Sequence, residues 1–208
     1  MEEDILKTVK PDGPKAEPSQ AGSRADTAQV EAPEAGLEAD ALKIAGIIDE
    51  SIVDGPGIRY VVFVQGCPHR CEGCHNEQTH DFQGGAYVHL SQLLKEIDAD
   101  PLITGVTFSG GEPFCQPEPL SVLAGEVKRR GLDLMVYSGY TWEELNLMAA
   151  ENAAVRRLLD TADRLIDGRF VLAERDLELA FRGSRNQRYI DLVKTRAEGR
   201  IVLVDEQI

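Results

Sequence analysis

Three of the four cysteines fall within eight residues, in the stretch Gly66-Cys67-Pro68-His69-Arg70-Cys71-Glu72-Gly73-Cys74-His75-Asn76. The spacing C-x3-C-x2-C lets three thiolates from one loop converge on one metal centre. The count of three matters. A structural zinc site needs four protein ligands in a closed tetrahedron, whereas a centre with chemistry to perform keeps one position open. A [4Fe-4S] cluster on Cys67, Cys71 and Cys74 leaves one iron free for a substrate or cofactor. Three other readings stand beside it. Ordinary buried thiols sit poorly with His69, Arg70 and Glu72 between them. Zinc would take His69 or His75 as fourth ligand, and a redox disulfide through Cys71-x-x-Cys74 leaves Cys67 unexplained. The cluster accounts for most of the pattern. Cys115 lies outside it and reads as a small loop residue.

Other residues suited to binding stand where apolar runs end. Ser109-Gly110-Gly111-Glu112-Pro113 follows Val106-Thr107-Phe108. A glycine pair at a strand end lets backbone groups approach a ligand with no Cβ in the way, and ligands bind at such ends in parallel sheets. Glu112 is suited either to help by charge or to anchor the loop. Ser138, in Val136-Tyr137-Ser138-Gly139-Tyr140, is placed to donate to a ligand or to begin the turn before Thr141. Asp167 at the next such end reads first as a turn cap. Arg182 to Arg188 is the one locally basic part of an acidic chain. By itself it reads as a solvated loop, with amide and guanidinium groups able to hold backbone carbonyls.

The elements that must position these groups can be read from the same sequence. Leu42 to Ile48 and Ile58 to Gln65 read as strands, and the apolar run Val61 to Val64 suits burial on both faces. Gly105 to Ser109 is a strand. Leu120 to Arg130 is a helix with Leu120, Leu123, Ala124 and Val127 on one face and Gly131 as its cap. Leu132 to Ser138 is the next strand, and Thr141-x-x-Glu144 spells a capping box that opens another helix. Asp163 to Ile166 and residues 200–204 complete the strands. Such alternation implies a parallel α/β sheet. The chain is too short for an eight-unit barrel of ~250 residues, so a partial barrel or an open, curved sheet is expected.

Composition narrows the function classes. The 208 residues are 42% hydrophobic and 28% charged, which suits one soluble domain. With 22 basic against 36 acidic residues the net charge is -14, which argues against a nucleic-acid binder. There is no run of 18 apolar residues and no basic-then-apolar leader, so neither a membrane span nor secretion is expected. A cytoplasmic protein with reduced thiols follows. Residues 1–36 hold four prolines, six alanines, eight acids, four bases and no aromatic residue. They read as a disordered tail before a domain over residues 37–208.

C-x3-C-x2-C at a strand end resembles the cluster motif of radical S-adenosylmethionine enzymes. Asp54-Gly55-Pro56-Gly57-Ile58-Arg59, together with Cys-Pro-His-x-Cys-x-Gly-Cys-His-Asn, resembles their glycyl-radical-activating branch. Phe-Arg-Gly-Ser-x-Asn-Gln-Arg near the C-terminus is similar to a marker of the activases of anaerobic ribonucleoside-triphosphate reductase. The likeness runs from about Leu42 to Leu192. It implies a partial (β/α) barrel with a mostly parallel curved sheet. It also implies a [4Fe-4S] cluster, and S-adenosylmethionine held by Gly110, Gly111, Glu112 and Ser138. Asp54, Arg182, Ser184, Asn186 and Gln187 would then face the partner, the glycyl-radical subunit of the reductase, and a flavodoxin or ferredoxin would deliver the electron. An activase of the pyruvate formate-lyase type, a small-molecule enzyme resembling the 7-carboxy-7-deazaguanine synthases, and a non-catalytic zinc-binding adaptor are the neighbouring readings.

Ligand count gives the first test. Alanine at Cys67, Cys71 or Cys74 is expected to abolish S-adenosylmethionine cleavage and iron retention, because two thiolates cannot cage the cluster. Cys115→Ala is expected to keep both, measured by iron analysis and methionine release.

Overall fold

The strand Arg59–Val64 shows why this chain folds as it does. Tyr60, Val61, Val62 and Val64 are all at most 1% exposed, so both faces of the strand are covered, as its unbroken apolar run requires. The computed structural model describes residues 40–205, and the tail expected over residues 1–36 lies outside the described residues. The strands are β1 (Ala41–Ser51), β2 (Arg59–Val64), β3 (Ala86–His89), β4 (Gly105–Gly110), β5 (Asp133–Tyr137), β6 (Arg164–Asp167) and β7 (Arg188–Asp191). The helices are α1 (Leu90–Ala99), α2 (Pro117–Arg129), α3 (Trp142–Glu151), α4 (Ala153–Thr161) and α5 (Leu192–Glu198).

The strands form one open sheet in the order β3-β1-β2-β4-β5-β6-β7. β2, β4, β5 and β6 are parallel neighbours. β1 runs antiparallel to β2 and to β3, and β7 antiparallel to β6. All strands except β1 and β7 therefore point the same way, and the mixed α/β class with a mostly parallel sheet agrees with the sequence reading. Among the described residues no helix is long and apolar enough to cross a membrane.

Local signals set the helix ends. Thr141 Oγ1 accepts from the Glu144 amide and the Glu144 carboxylate accepts from the Thr141 amide, closing the expected capping box of α3. Asn152 ends α3 and caps α4, its Oδ1 accepting from Ala154 and Val155. α2 begins at Pro117, earlier than the periodicity suggested, because proline is preorganised for a first helical turn. The expected strand over residues 200–204 is not formed. Leu203 makes one isolated bridge to Ile190, flanked by two backbone bonds, since only this short piece runs beside β7 before the described chain ends.

Alternation along the strands divides the sheet into two unlike faces. Val62, Val64, Val106, Phe108, Leu134, Val136 and Leu165 join the main core with Leu93, Leu120, Leu123, Leu145 and Leu158 from the helices. The other face carries Arg59, Thr107, Met135, Tyr137 and Ile166, with only a small apolar cluster. Arg59 is fully buried there. Its Nε donates to Thr107 Oγ1 at 2.6 Å, its Nη1 to Asp133 Oδ1 at 2.8 Å and to Pro56 O at 3.1 Å, and its Nη2 to Val106 O at 2.6 Å. Burial pushes its pKa down, opposed by the neighbouring Asp133 carboxylate. A Cβ on Gly55 would come within 2.6 Å of the Arg59 side chain, so the turn after Asp54 must carry glycine there.

Arg59→Met keeps the volume but takes the buried donors from the Pro56 and Val106 carbonyls and from Thr107, and leaves Asp133 with Arg164 alone. It is expected to destabilise by about 3 kcal/mol in urea unfolding. Arg59→Lys is expected to restore little, because an ammonium lacks the guanidinium fork.

Candidate metal and cofactor site

The parallel strands β2, β4, β5 and β6 all deliver their C-terminal ends to one side, where parallel sheets place ligands. The chain leaves β2 through Gly66 in the left-handed region (φ 98°). The cysteine loop that follows is closed at its neck by two backbone bonds: Gly66 N donates to Thr79 O at 2.8 Å and Cys67 N to His80 O at 3.3 Å. Within it, Cys74 N donates to Cys71 O at 3.3 Å and Asn76 N to Cys74 Sγ at 3.4 Å.

Cys67, Cys71 and Cys74 all line one cavity of about 490 Å³, within the usual range for a small-molecule site. All four cysteines are free thiols, so no disulfide competes for them. Burial pushes the Cys67 and Cys74 thiols up, and binding a metal there must therefore release protons. Among the described residues no three His, Cys, Asp or Glu side chains, these cysteines included, are grouped closely enough to hold a single metal ion. Cys115 does not line the cavity. Burial, with the Glu112 and Cys67 charges behind it, pushes its thiol up to about 12, so it stays neutral and a poor ligand.

Gly110 and Gly111 line the same cavity. Gly110 has φ 90°, and a Cβ on it would meet Phe63 Cα at 2.7 Å; one on Gly111 would meet Gly66 O at 2.4 Å. The loop thus lies directly against the exit of β2, tied there by Gly111 N to Val64 O (2.9 Å) and Glu112 N to Gly66 O (2.8 Å).

Glu112 is behind this wall rather than on it, and fully buried. Its Oε1 accepts from Phe114 N and from Ser138 Oγ, both at 3.0 Å. Its Oε2 accepts from Gly139 N at 2.8 Å and faces His69 Nε2 at 2.9 Å. With Glu112 as a carboxylate, the His69 tautomer that carries its hydrogen on Nε2 is the one that donates to it. Of the two roles open to Glu112 in the sequence, the geometry is that of an anchor. Ser138 lines the cavity, but its hydroxyl donates to Glu112 and accepts from Tyr140 N at 3.0 Å.

Asp54 lines the cavity too, held by Ser51 Oγ at 2.5 Å and by Thr107 Oγ1, which donates to its backbone oxygen at 2.8 Å. The Arg182 to Arg188 segment does hold backbone carbonyls, but those of its own chain. Asn186 Nδ2 donates to Arg169 O at 2.8 Å and Gln187 Nε2 to Gly168 O at 3.0 Å. Gln187 Oε1 accepts from Gly183 N, and Ser184 is wholly buried. Arg182 and Gln187 reach the main cavity, whereas Asn186 reaches an adjoining one of about 370 Å³. Asp167 caps the start of α3 rather than its own turn: it accepts from Trp142 N at 2.6 Å and pairs with Arg188, which also holds the Glu143 carboxyl well below the usual range, at about 2.

Two groups were not legible as partners in the sequence. His69 stood out only as a possible zinc ligand, and Gly139 not at all. His80 also lines the cavity, and its Nε2 is buried with no hydrogen-bond partner. A buried group in that state is a cost that a bound molecule would relieve. Three thiols from one loop, a glycine floor without Cβ atoms and an unpartnered imidazole nitrogen together fit an iron-sulfur cluster with a small polar cofactor beside it.

A family model described as a 4Fe-4S single cluster domain matches residues 53–190. The chain is similar to the anaerobic ribonucleoside-triphosphate reductase-activating protein of Salmonella typhimurium, 36% identical over 146 residues, covering 65% of this chain and 90% of that one. To the protein of the same name from Escherichia coli K12 it is 34% identical over 145 residues, with 65% and 90% coverage. It is 40% identical over 112 residues to the pyruvate formate-lyase-activating enzyme of Clostridium pasteurianum, covering 50% of this chain and 47% of that one.

The space at Gly139 provides a stability test. A Cβ there would lie 2.3 Å from the buried His69 ring, so Gly139→Ala is expected to cost about 1–3 kcal/mol in urea unfolding. Gly125→Ala in α2, with nothing within 4 Å of its Cβ, is expected to be neutral or to stabilise by ~0.5–1 kcal/mol.

Proposed function

This chain belongs to the family of anaerobic ribonucleoside-triphosphate reductase-activating proteins, and from that premise we propose that it installs a glycyl radical on such a reductase using a [4Fe-4S] cluster and S-adenosylmethionine. The observation that carries this is that Cys67, Cys71 and Cys74, from one loop, line the same cavity as Gly110 and Gly111. When bound, the cluster would supply one electron for reductive cleavage of S-adenosylmethionine to methionine and a 5′-deoxyadenosyl radical able to take a hydrogen from a glycine Cα of the partner. The open seven-stranded sheet is then the partial barrel of radical S-adenosylmethionine enzymes.

The protein's task is binding, orientation and exclusion of side reactions. Cys67, Cys71 and Cys74 would hold the cluster and leave one iron open to the cofactor. The amides of Gly111 and Glu112 are taken up by Val64 and Gly66 and the Glu112 carbonyl by Cys115 N, so the glycine carbonyls are what this loop would offer, and they suit an ammonium. Ser138 and Asp54 supply polar wall. Val53 stands at the cavity with 72% of its surface exposed, a site for the partner's backbone to cover. Arg182 and Gln187 meet the partner from the opposite wall, while Ser184 and Asn186 support them from behind. Glycine suits the role of target because no side chain shields its Cα. A flavodoxin or ferredoxin fits as donor of the single electron.

The test is anaerobic reconstitution followed by incubation of reduced protein with S-adenosylmethionine and the candidate reductase. About four irons per chain, methionine release and a glycyl radical on the reductase by electron paramagnetic resonance are expected. Stoichiometric zinc would turn the reading to an adaptor. A radical formed on pyruvate formate-lyase and not on the reductase would change the target.

A further inference from the structure

We infer that His69 is a positioning residue: it couples the cysteine loop to the Gly110-Gly111-Glu112 loop, so that the cluster-bearing sulfur and the cofactor floor keep one fixed relation. The inference rests on the reading just given. His69 stands in the cysteine loop itself, between Cys67 and Cys71, and its ring Nε2 lies 2.9 Å from Glu112 Oε2. A residue of the cluster-bearing loop therefore touches the anchor of the cofactor loop with its side chain.

The rest of its surroundings hold it in that pose. The side chain is 3% exposed. The Tyr140 ring meets it edge-on, with centroids 4.5 Å apart, a favourable arrangement for two aromatic rings. Gly139 leaves space for the imidazole that any Cβ would fill. The same loop that gives this space also donates Gly139 N to Glu112 Oε2 at 2.8 Å, so ring and amide converge on one carboxylate oxygen. The backbone ties at Gly111 and Glu112 hold the floor to the end of β2, but only His69 reaches it from among the cysteines. Small displacements at such a junction carry large effects on binding, because a site must hold its groups closely to be productive.

The experiment uses the full-length, iron-reconstituted protein and the variants His69→Ala and His69→Gln. Four quantities are read on each: iron content, melting temperature, the dissociation constant for S-adenosylmethionine, and the change in the reduced cluster's paramagnetic resonance spectrum on adding it. His69→Ala is expected to keep iron near the wild-type value and to weaken S-adenosylmethionine binding by about tenfold, with a smaller or altered spectral change. His69→Gln, whose amide can donate toward Glu112, is expected to recover most of that loss. Unchanged binding and spectrum in His69→Ala would overturn the inference. So would equal losses in both variants in parallel with melting temperature and iron, which would mark His69 as structural only. If the wild-type protein itself takes up no iron or no S-adenosylmethionine, the proposed function fails first, and this inference with it.

Discussion

The site depends on one buried carboxylate. Glu112 has no exposed surface, and a carboxylate in that position is tolerable only if its oxygens are fully bonded. The four donors come from three different strand ends: His69 beyond β2, Phe114 in the turn after β4, and Ser138 with Gly139 beyond β5. Removing any one of these loops would leave the charge under-bonded, so the carboxylate makes their mutual placement a condition of folding. The cavity is what this arrangement encloses on the solvent side.

The two faces of the sheet divide the work. The helix-covered face is an ordinary apolar core and supplies most of the stability. The opposite face is polar at both ends, with Arg59 held by Thr107 and Asp133 below and the cysteine cavity above. Arg59 also accepts the close approach of Gly55 and so shapes the turn that brings Asp54 to the cavity wall. A face filled this way has few apolar contacts to lose, and it is left available to bind rather than to pack.

Much of this was legible in the residues, for physical reasons that can be named. The cysteine spacing, the glycine pair after β4 and the capping box of α3 are local patterns, each fixed by the geometry of a few neighbouring residues. Burial of β2 on both faces showed as an unbroken apolar run. What escaped was of two kinds. Ala86–His89 is a strand of four residues that leads straight into α1, too short to show a period. The bond from His69 to Glu112 joins residues 43 apart, and the amides of Asn186 and Gln187 turn inward to carbonyls 17 and 19 residues away. Such pairings depend on how strand ends meet, which no local pattern encodes. The polar segment 182–188 reads in the sequence as a solvated or partner-holding loop, and the bonds of its amides to the Arg169 and Gly168 carbonyls add a part in the fold that the sequence did not show.

If Glu112 is the common fastening of three loops, loosening it must be felt in all three. Amide hydrogen exchange on the full chain, wild type against Glu112→Gln, measures this most directly, because the glutamine presents an N–H2 where a carboxylate oxygen accepted two hydrogen bonds. The account predicts faster exchange together at Phe114, at Gly139 and at the Gly66–Cys67 neck of the cysteine loop, with helix α2 and the interior of β5 unchanged. Faster exchange at Phe114 alone, with the other two loops protected as before, would contradict it.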